Sequence, residues 1–442
     1  MQGAETIYNR KPLQRVSTEF VSSEFTLIKK LIWLYFLLLL FEGALRKWFL
    51  PGLSQGLLIV RDPIAVWIYY IAYNQGLLSL QNKYIQALIR LTLICGFISF
   101  IVQAHPLTIA YGMRTSLLHF PLIFVMGRVL SWEDVISFGK AFLLLSLPMT
   151  WVVSEQFQAD RFNVINVASG GTGHQMMTSG DKVRASGTFS FVSGIVFFYC
   201  FAVAFIIYGF LARSFVPKWM LYLGTGATFL AMVTAGSRAV IAESIQVFGC
   251  LAFLAYHRPS EFSKITTSTF IFIAIALILY SRIELFKEGM TFLTLRFEEA
   301  ANVEGNPVEA YFIRYWEIIY SPFRSLNFQS LDGWLGNGIG SGTRAGAALG
   351  RGVGYELDWN RHIYENGFLL GLTYIWIRFW IIKDLLKVCI SAIKRNSYLA
   401  IFLWGASAPI ILFGILGQPT NLGFATFGGG LCLAAAKQLN KK

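Results

Sequence analysis

The chain has 442 residues, of which 55% are hydrophobic and only 14% charged, with a mean hydropathy of +0.56. A water-soluble domain carries about 25% charged residues, so this sequence cannot cover itself with a wet surface. The net charge of +13 comes without a Lys/Arg run beside any RNA- or DNA-binding motif, which excludes a nucleic-acid partner and leaves lipid and anionic substrates.

Residues 1–26 read as a polar, basic segment with no small-residue cleavage site ahead of the first apolar run. A spanning helix needs about 20 mostly apolar residues. By that measure the chain is an all-α polytopic membrane protein of about 12 transmembrane helices. These begin near Leu27, Gly56, Tyr84, Leu107, Asp134, Thr188, Pro217, Arg238, Ile265, Ile363, Tyr398 and Asn421. Helices 1–9 fill residues 27–281, with an outer loop at 155–187, and helices 10–12 with a short tail fill 363–442. A large extracytoplasmic loop, 282–362, lies between helices 9 and 10, too long for a turn and expected to form a small subdomain.

Arg10, Lys11, Arg15, Lys29 and Lys30 precede the first span, so the positive-inside rule puts the N-terminus in the cytoplasm. Alternation then brings Lys83, Arg128, Arg258 and the Lys383–Arg395 cluster to the same side, and both termini are expected there. Only Arg46 and Lys47 fall outside. Glu42, Arg46, Arg61 and Asp62 lie at membrane depth and are expected to pair with one another.

Arginine dominates the two outer loops: Arg161, Arg184, Arg238, Arg282, Arg296, Arg314, Arg324, Arg344, Arg351 and Arg361. A guanidinium grips phosphate with two parallel donors and stays charged at any ordinary pH. Single surface arginines mostly form weak local ion pairs, as Arg296 is placed to do with Glu298 and Glu299. Arg238 in "TAGSRAV" and Arg184 in "KVRASGTF" stand out because small residues beside them let a ligand approach.

In "WNRHIYENGF", Glu365 lies three residues after His362, on one helical face, where it would polarise the imidazole for proton transfer from a sugar hydroxyl. The tract "GNGIGSG", with Gly338 and Gly340, lacks the strand–turn–helix setting of a dinucleotide site and is expected to be a mobile loop beside a glycan. The five cysteines sit in apolar stretches without a metal-ligand spacing, and no P-loop or HExxH is present, so neither metal nor cofactor is expected.

These features together resemble the bacterial O-antigen polymerase/O-antigen ligase family of inner-membrane glycosyltransferases. The resemblance covers most of the chain in topology, and rests on Arg238 in "GSR", Arg184 in "RASGTF", "GNGIG" and the His362 segment. It implies an undecaprenyl-diphosphate-linked oligosaccharide as donor, multi-pass insertion in the inner membrane with 282–362 as a large periplasmic loop between helices 9 and 10, no nucleotide, and partners of the flippase and chain-length-regulator type. On that reading His362 and Glu365 are catalytic, and Arg238, Arg184, Arg296 and Arg314 bind the pyrophosphate. Where the family shows His-Asn, this chain has Ile363 after the histidine. The expected activity is polymerisation of repeat units on the periplasmic face. A ligase moving a finished glycan to lipid A-core or protein, and a polysaccharide flippase or transporter, stay open beside it.

Overall fold

A computed structural model of the chain describes residues 18–437 apart from 172, 177–181, 213–215, 306, 325, 327 and 349–351. Within a few helical stretches, including position 314, it describes the backbone alone, so the expected roles of Arg314 and Arg351 lie outside the described residues. Among the described residues the protein is helical, without a strand; one isolated bridge pairs Val167 with His174.

In chain order the helices are α1 (Thr18–Ala44), α2 (Asp62–Asn74), α3 (Lys83–Ile101), α4 (Pro106–Met113), α5 (Leu122–Val129), α6 (Trp132–Gln158), α7 (Val192–Leu211), α8 (Lys218–Thr234), α9 (Arg238–His257) and α10 (Phe262–Arg282). After them come α11 (Glu284–Glu304), α12 (Pro307–Arg324), the short α13 (Leu331–Leu335) and α14 (Arg344–Ala348), then α15 (Asp358–Lys394), α16 (Leu399–Phe413) and α17 (Pro419–Ala435).

Among the described residues, seven segments are long and apolar enough to cross a bilayer: Pro51–Asn74, Lys83–Ile101, Pro106–Val129, Trp132–Gln158, Val192–Leu211, Arg238–His257 and Pro259–Arg282. Helix also occupies the other five stretches where the apolar rhythm predicts spans, but with less of that character. α1 carries Lys29, Lys30 and Glu42; α8, α16 and α17 have 17, 15 and 17 residues; α15 bears Arg378, Lys383, Asp384 and Lys387. At 1.5 Å per residue, a helix of that length falls short of a hydrocarbon core of about 30 Å.

α7 is the hub. Its apolar stretch is 94% buried, walled by α6, α8, α9, α16 and α17. Aromatic rings fill the layer beside it, with Phe36 stacked on Phe427 at 4.9 Å and Phe138 edge-on to the same ring at 5.0 Å. Such offset and edge-to-face pairs contribute about 1 kcal/mol each beyond their burial.

The two ends of the bundle differ in charge. At one end basic residues close the helix termini. Lys83 and Lys387 meet Asp384 at 2.7 and 3.0 Å, Arg258 donates to the Ile393 carbonyl at 3.2 Å, and Lys437 to the Arg128 carbonyl at 2.9 Å. Cations beside exposed helical carbonyls complement the negative end of the helix dipole. The other end carries the two long loops, the α11–α14 segment and the start of α15.

Candidate functional site

The loop end is built on close backbone approaches that only small residues permit. A Cβ on Gly43 would lie 2.4 Å from the Ser190 nitrogen, and one on Gly112 would lie 2.4 Å from the Gly340 nitrogen. Here the structure corrects the expectation for the glycine tract. Gly338 and Gly340 have φ of 93° and 90°, which a side chain rarely adopts, and both pack on helix rather than lining open space. A Cβ at Gly338 would strike Ala104 at 2.5 Å, and one at Gly340 the Thr108 carbonyl at 2.2 Å. Ile339 between them is fully buried, its N–H donating to Ser99 Oγ at 2.7 Å. Their near space is taken by the end of α3, Ala104 and the start of α4, so the tract is packed backbone and not a mobile loop.

The tract also holds α15. That helix breaks at Gly367 (φ 70°), which divides Asp358–Asn366 from the long segment that follows. The break frees carbonyls of the first piece, as a helix terminus does. Tyr364 accepts from Asn337 N–H at 2.9 Å, and Glu365 from Gly338 N–H at 3.0 Å.

Because the helix starts at Asp358, residues 358, 361, 362 and 365 share one face. Arg361 sits at the centre, 2% exposed. Its Nε donates to Asp358 Oδ1 at 2.8 Å, its Nη1 to Glu365 Oε2 at 2.9 Å, and its Nη2 lies 3.1 Å from His362 Nε2. Beyond the break at Gly367 the second piece folds against the first, where a Cβ on Gly371 would lie 2.7 Å from the His362 carbonyl, and this brings Arg378 to Asp358 Oδ2 and to the Gly414 carbonyl at 3.0 Å. Two arginines and two carboxylates balance with the imidazole neutral, as buried charges must.

The acid beside the imidazole is Asp358, with Oδ2 at 3.4 Å from Nε2, and not Glu365. Glu365 faces Arg361 and accepts from Gly342 N–H at 3.1 Å. Burial would raise the Asp358 carboxyl, but Arg361 and Arg378 outweigh it and hold it well below the carboxylate range. Burial, aided by Arg361, pushes His362 down to about 4 against the pull of Asp358. A guanidinium only donates, so His362 Nε2 accepts from Arg361 and the proton is assigned to Nδ1. That Nδ1 has no hydrogen-bond partner among the described residues. The ring stacks on Tyr374 at 4.9 Å and borders a cavity of about 20 Å³, room for one water, lined also by Thr115, Ser116 and Arg378.

The arginines form a second locus. A Cβ on Gly236 (φ 65°) would lie 3.6 Å from Arg184 Cα and 3.3 Å from the Phe292 ring. This joins the stretch before α7, the start of α9 at Arg238, and α11, where Arg296 lies one turn beyond Phe292. Arg184 is half-buried, and its Nε has no hydrogen-bond partner among the described residues. Arg296 approaches Glu299 at 3.7 Å, the local pair foreseen, and not Glu298. Lys182 meets Glu288 of α11 at 2.8 Å. No contact among the described residues joins His362 to Arg184 or Arg238. The nearest link is Arg344, which follows the Gly342 that binds Glu365 and lies 4.7 Å over the Phe191 ring.

The paired charges near the first two spans follow the sequence in kind and differ in partner. Glu42 meets Arg61 at 3.2 Å and Arg46 at 3.6 Å, whereas Asp62 binds His119 at 2.9 Å and Arg114 instead of its neighbour Arg61. Arg46 and Lys47, the exceptions in charge placement, are buried by the 186–190 loop. Lys47 Nζ donates to Ser186 Oγ at 2.9 Å and the Gly187 carbonyl at 2.6 Å, and burial lowers it to about 7. Asp358 escaped the sequence reading because the helix was expected to start at Ile363. Started at Asp358, the i, i+3, i+4, i+7 spacing of charges is visible.

Among the described residues no set of three His, Cys, Asp or Glu side chains is placed to hold a metal. Comparison with family models, with curated proteins and with solved structures finds no match.

Proposed function

We propose that the protein is a multi-pass membrane glycosyltransferase of about twelve spans, with both termini in the cytoplasm, that polymerises undecaprenyl-diphosphate-linked oligosaccharides on the outer face of the inner membrane. The observation that carries this reading is the meeting of Arg184, the start of α9 at Arg238, and the Arg296 helix at the loop end of a bilayer-embedded bundle. Three guanidinium-bearing elements converge there beside apolar helices, joined through Gly236 and Phe292, and guanidinium is the group suited to gripping a diphosphate on a lipid. The basic opposite end supports the orientation, because Lys and Arg are retained on the cytoplasmic side.

The acceptor hydroxyl oxygen attacks the anomeric carbon of the donor, and the bond from that carbon to the diphosphate oxygen breaks with its electron pair. Arg184 and Arg238, assisted by Arg296, stabilise the charge that gathers on the leaving diphosphate. The hydroxyl proton passes to His362 Nε2. Arg361 covers that nitrogen in the structure, so acceptor binding has to draw the guanidinium onto Glu365 and Asp358 before the imidazole can accept. The test replaces Arg238 or His362 with Ala in the producing cell and examines polysaccharide chain length. Loss of long chains in both variants is expected; full-length polymer from both would overturn the reading.

A further inference from the structure

A groove of about 590 Å³ runs between α6, α8 and the α10–α11 corner, lined by Leu147, Trp151, Tyr222, Gly226, Leu230 and Leu279 among others. From Leu147 to Gln158 it follows eleven residues of α6, about 16 Å at 1.5 Å per residue. Most of its wall is apolar, and it lies on the outward flank of the bundle, where Trp151 and Leu223 are 62% and 54% exposed. A protein that only presents a lipid-facing surface has no need of a concave floor. Here Gly226 makes one: a Cβ added to it would meet nothing nearer than Leu279 Cδ2 at 4.0 Å, so the glycine serves no close helix contact.

Thr150, midway along, spends its hydroxyl on Tyr199 and the Ala227 carbonyl, and polarity increases toward the loop end, where Glu155 and Gln158 join the lining. Ser154 lines the groove there, is 6% exposed, and its Oγ has no hydrogen-bond partner among the described residues. Leaving a buried hydroxyl unpaired costs about 1–3 kcal/mol, which a ligand oxygen would recover. Just beyond, Phe157 lies under Lys182 Nζ at 4.5 Å and against Phe292 at 5.3 Å, the same Phe292 that adjoins Gly236 and Arg184. The groove therefore ends where the arginine locus begins.

We propose that this groove holds the proximal part of the donor's polyprenyl chain, with Ser154 and Lys182 at the point where the chain passes to its diphosphate. The assignment rests on the function proposed above. A mostly apolar groove about 16 Å long fits a stretch of one isoprenoid chain, and Arg184, which lies past its loop end beyond Phe157 and Phe292, fits the phosphates that follow; Glu155 at that end and the Glu288 paired with Lys182 have to turn aside for them.

The test uses full-length protein in phosphatidylethanolamine/phosphatidylglycerol nanodiscs and an undecaprenyl diphosphate carrying a photoactivatable group on its proximal isoprenes. Labelling of α6 and α8 peptides in the wild type is expected, and Gly226→Phe or Leu223→Trp, each filling the groove from α8, lowers it by about tenfold or more. Labelling unchanged in both folded variants overturns the proposal, as does equal labelling by a diacyl phospholipid probe. Oligosaccharide elongation by the wild type is read in parallel. Elongation with labelling elsewhere removes the groove and leaves the function; groove labelling without elongation removes the function and leaves a polyprenyl-diphosphate site.

Discussion

Arg361 Nη2 lies 3.1 Å from His362 Nε2, so the one lone pair on the imidazole is occupied by a guanidinium in the resting protein. With His362 held down at about 4, the ring is neutral throughout the neutral range. A histidine near its ordinary 6.5 would lose half its basic form there. The glycan-transfer rate is therefore expected to stay flat from about pH 6 to 8 as far as His362 is concerned. A fall centred near pH 6.5, absent from a donor-binding measurement on the same samples, would contradict the buried placement.

Arg361 joins two carboxylates that nothing else neutralises completely. Replacing it with Met strands Asp358 and Glu365 in the interior, and breaking a buried pair in this way costs about 3–5 kcal/mol. Arg361→Lys keeps the charge and loses the fork, so it is expected to fall between wild type and Met. Thermal unfolding of the purified protein in one detergent gives the order; equal stability of all three would contradict the network.

Lys47 gives a pH signature for folding. Its folded value of about 7 lies below the 10.5 of the free side chain, so between those values the unfolded chain binds the extra proton. Stability then rises with pH from about 7 to 10.5, by at most about 5 kcal/mol, and this gain is absent below 7. Lys47→Met removes the titrating group, and its unfolding midpoint is expected to climb less over that window than the wild type's. Parallel curves would show that Lys47 is solvated.

The glycine tract is a packing device. Gly340→Ala puts a methyl where the Thr108 carbonyl lies 2.2 Å away, and Gly367→Ala one 2.0 Å from the Trp334 carbonyl, both at positive φ. Backbone cannot yield as a flexible side chain does, so each is expected to loosen the 336–343 tract from α4 and α15. Limited proteolysis of intact protein would detect it as faster cleavage near Arg344. Gly56→Ala, which meets nothing within 4 Å, is the control.

The helical rhythm was legible because apolar runs of span length carry their own signal, and each of the twelve expected stretches is helix. The paired charges at Glu42 and Asp62 were legible in kind, since a charge at membrane depth needs a partner, but the partners depend on which helices touch. Arg378 shows why: it meets Asp358, twenty residues earlier, only because the chain turns back at Gly367 and packs the two pieces of α15 together, a contact no local spacing announces. Gly338 and Gly340 show a related ambiguity, because a glycine that admits a ligand and one that admits a neighbouring helix look alike in sequence. Arg184 and Arg238 were singled out by the small residues around them. Gly236 then proved to be the point where their two segments meet.

The central claim is that the arginine locus works on a lipid-borne diphosphate. Purified protein, given undecaprenyl-diphosphate-linked oligosaccharide without nucleotide, is expected to yield a ladder of elongated lipid-linked products. Arg184→Ala and Arg238→Ala should each reduce it by about a hundredfold, the scale of removing one preorganised donor from a developing anion. Folded wild-type protein that gives no ladder, or a ladder unchanged in both variants, would contradict the account.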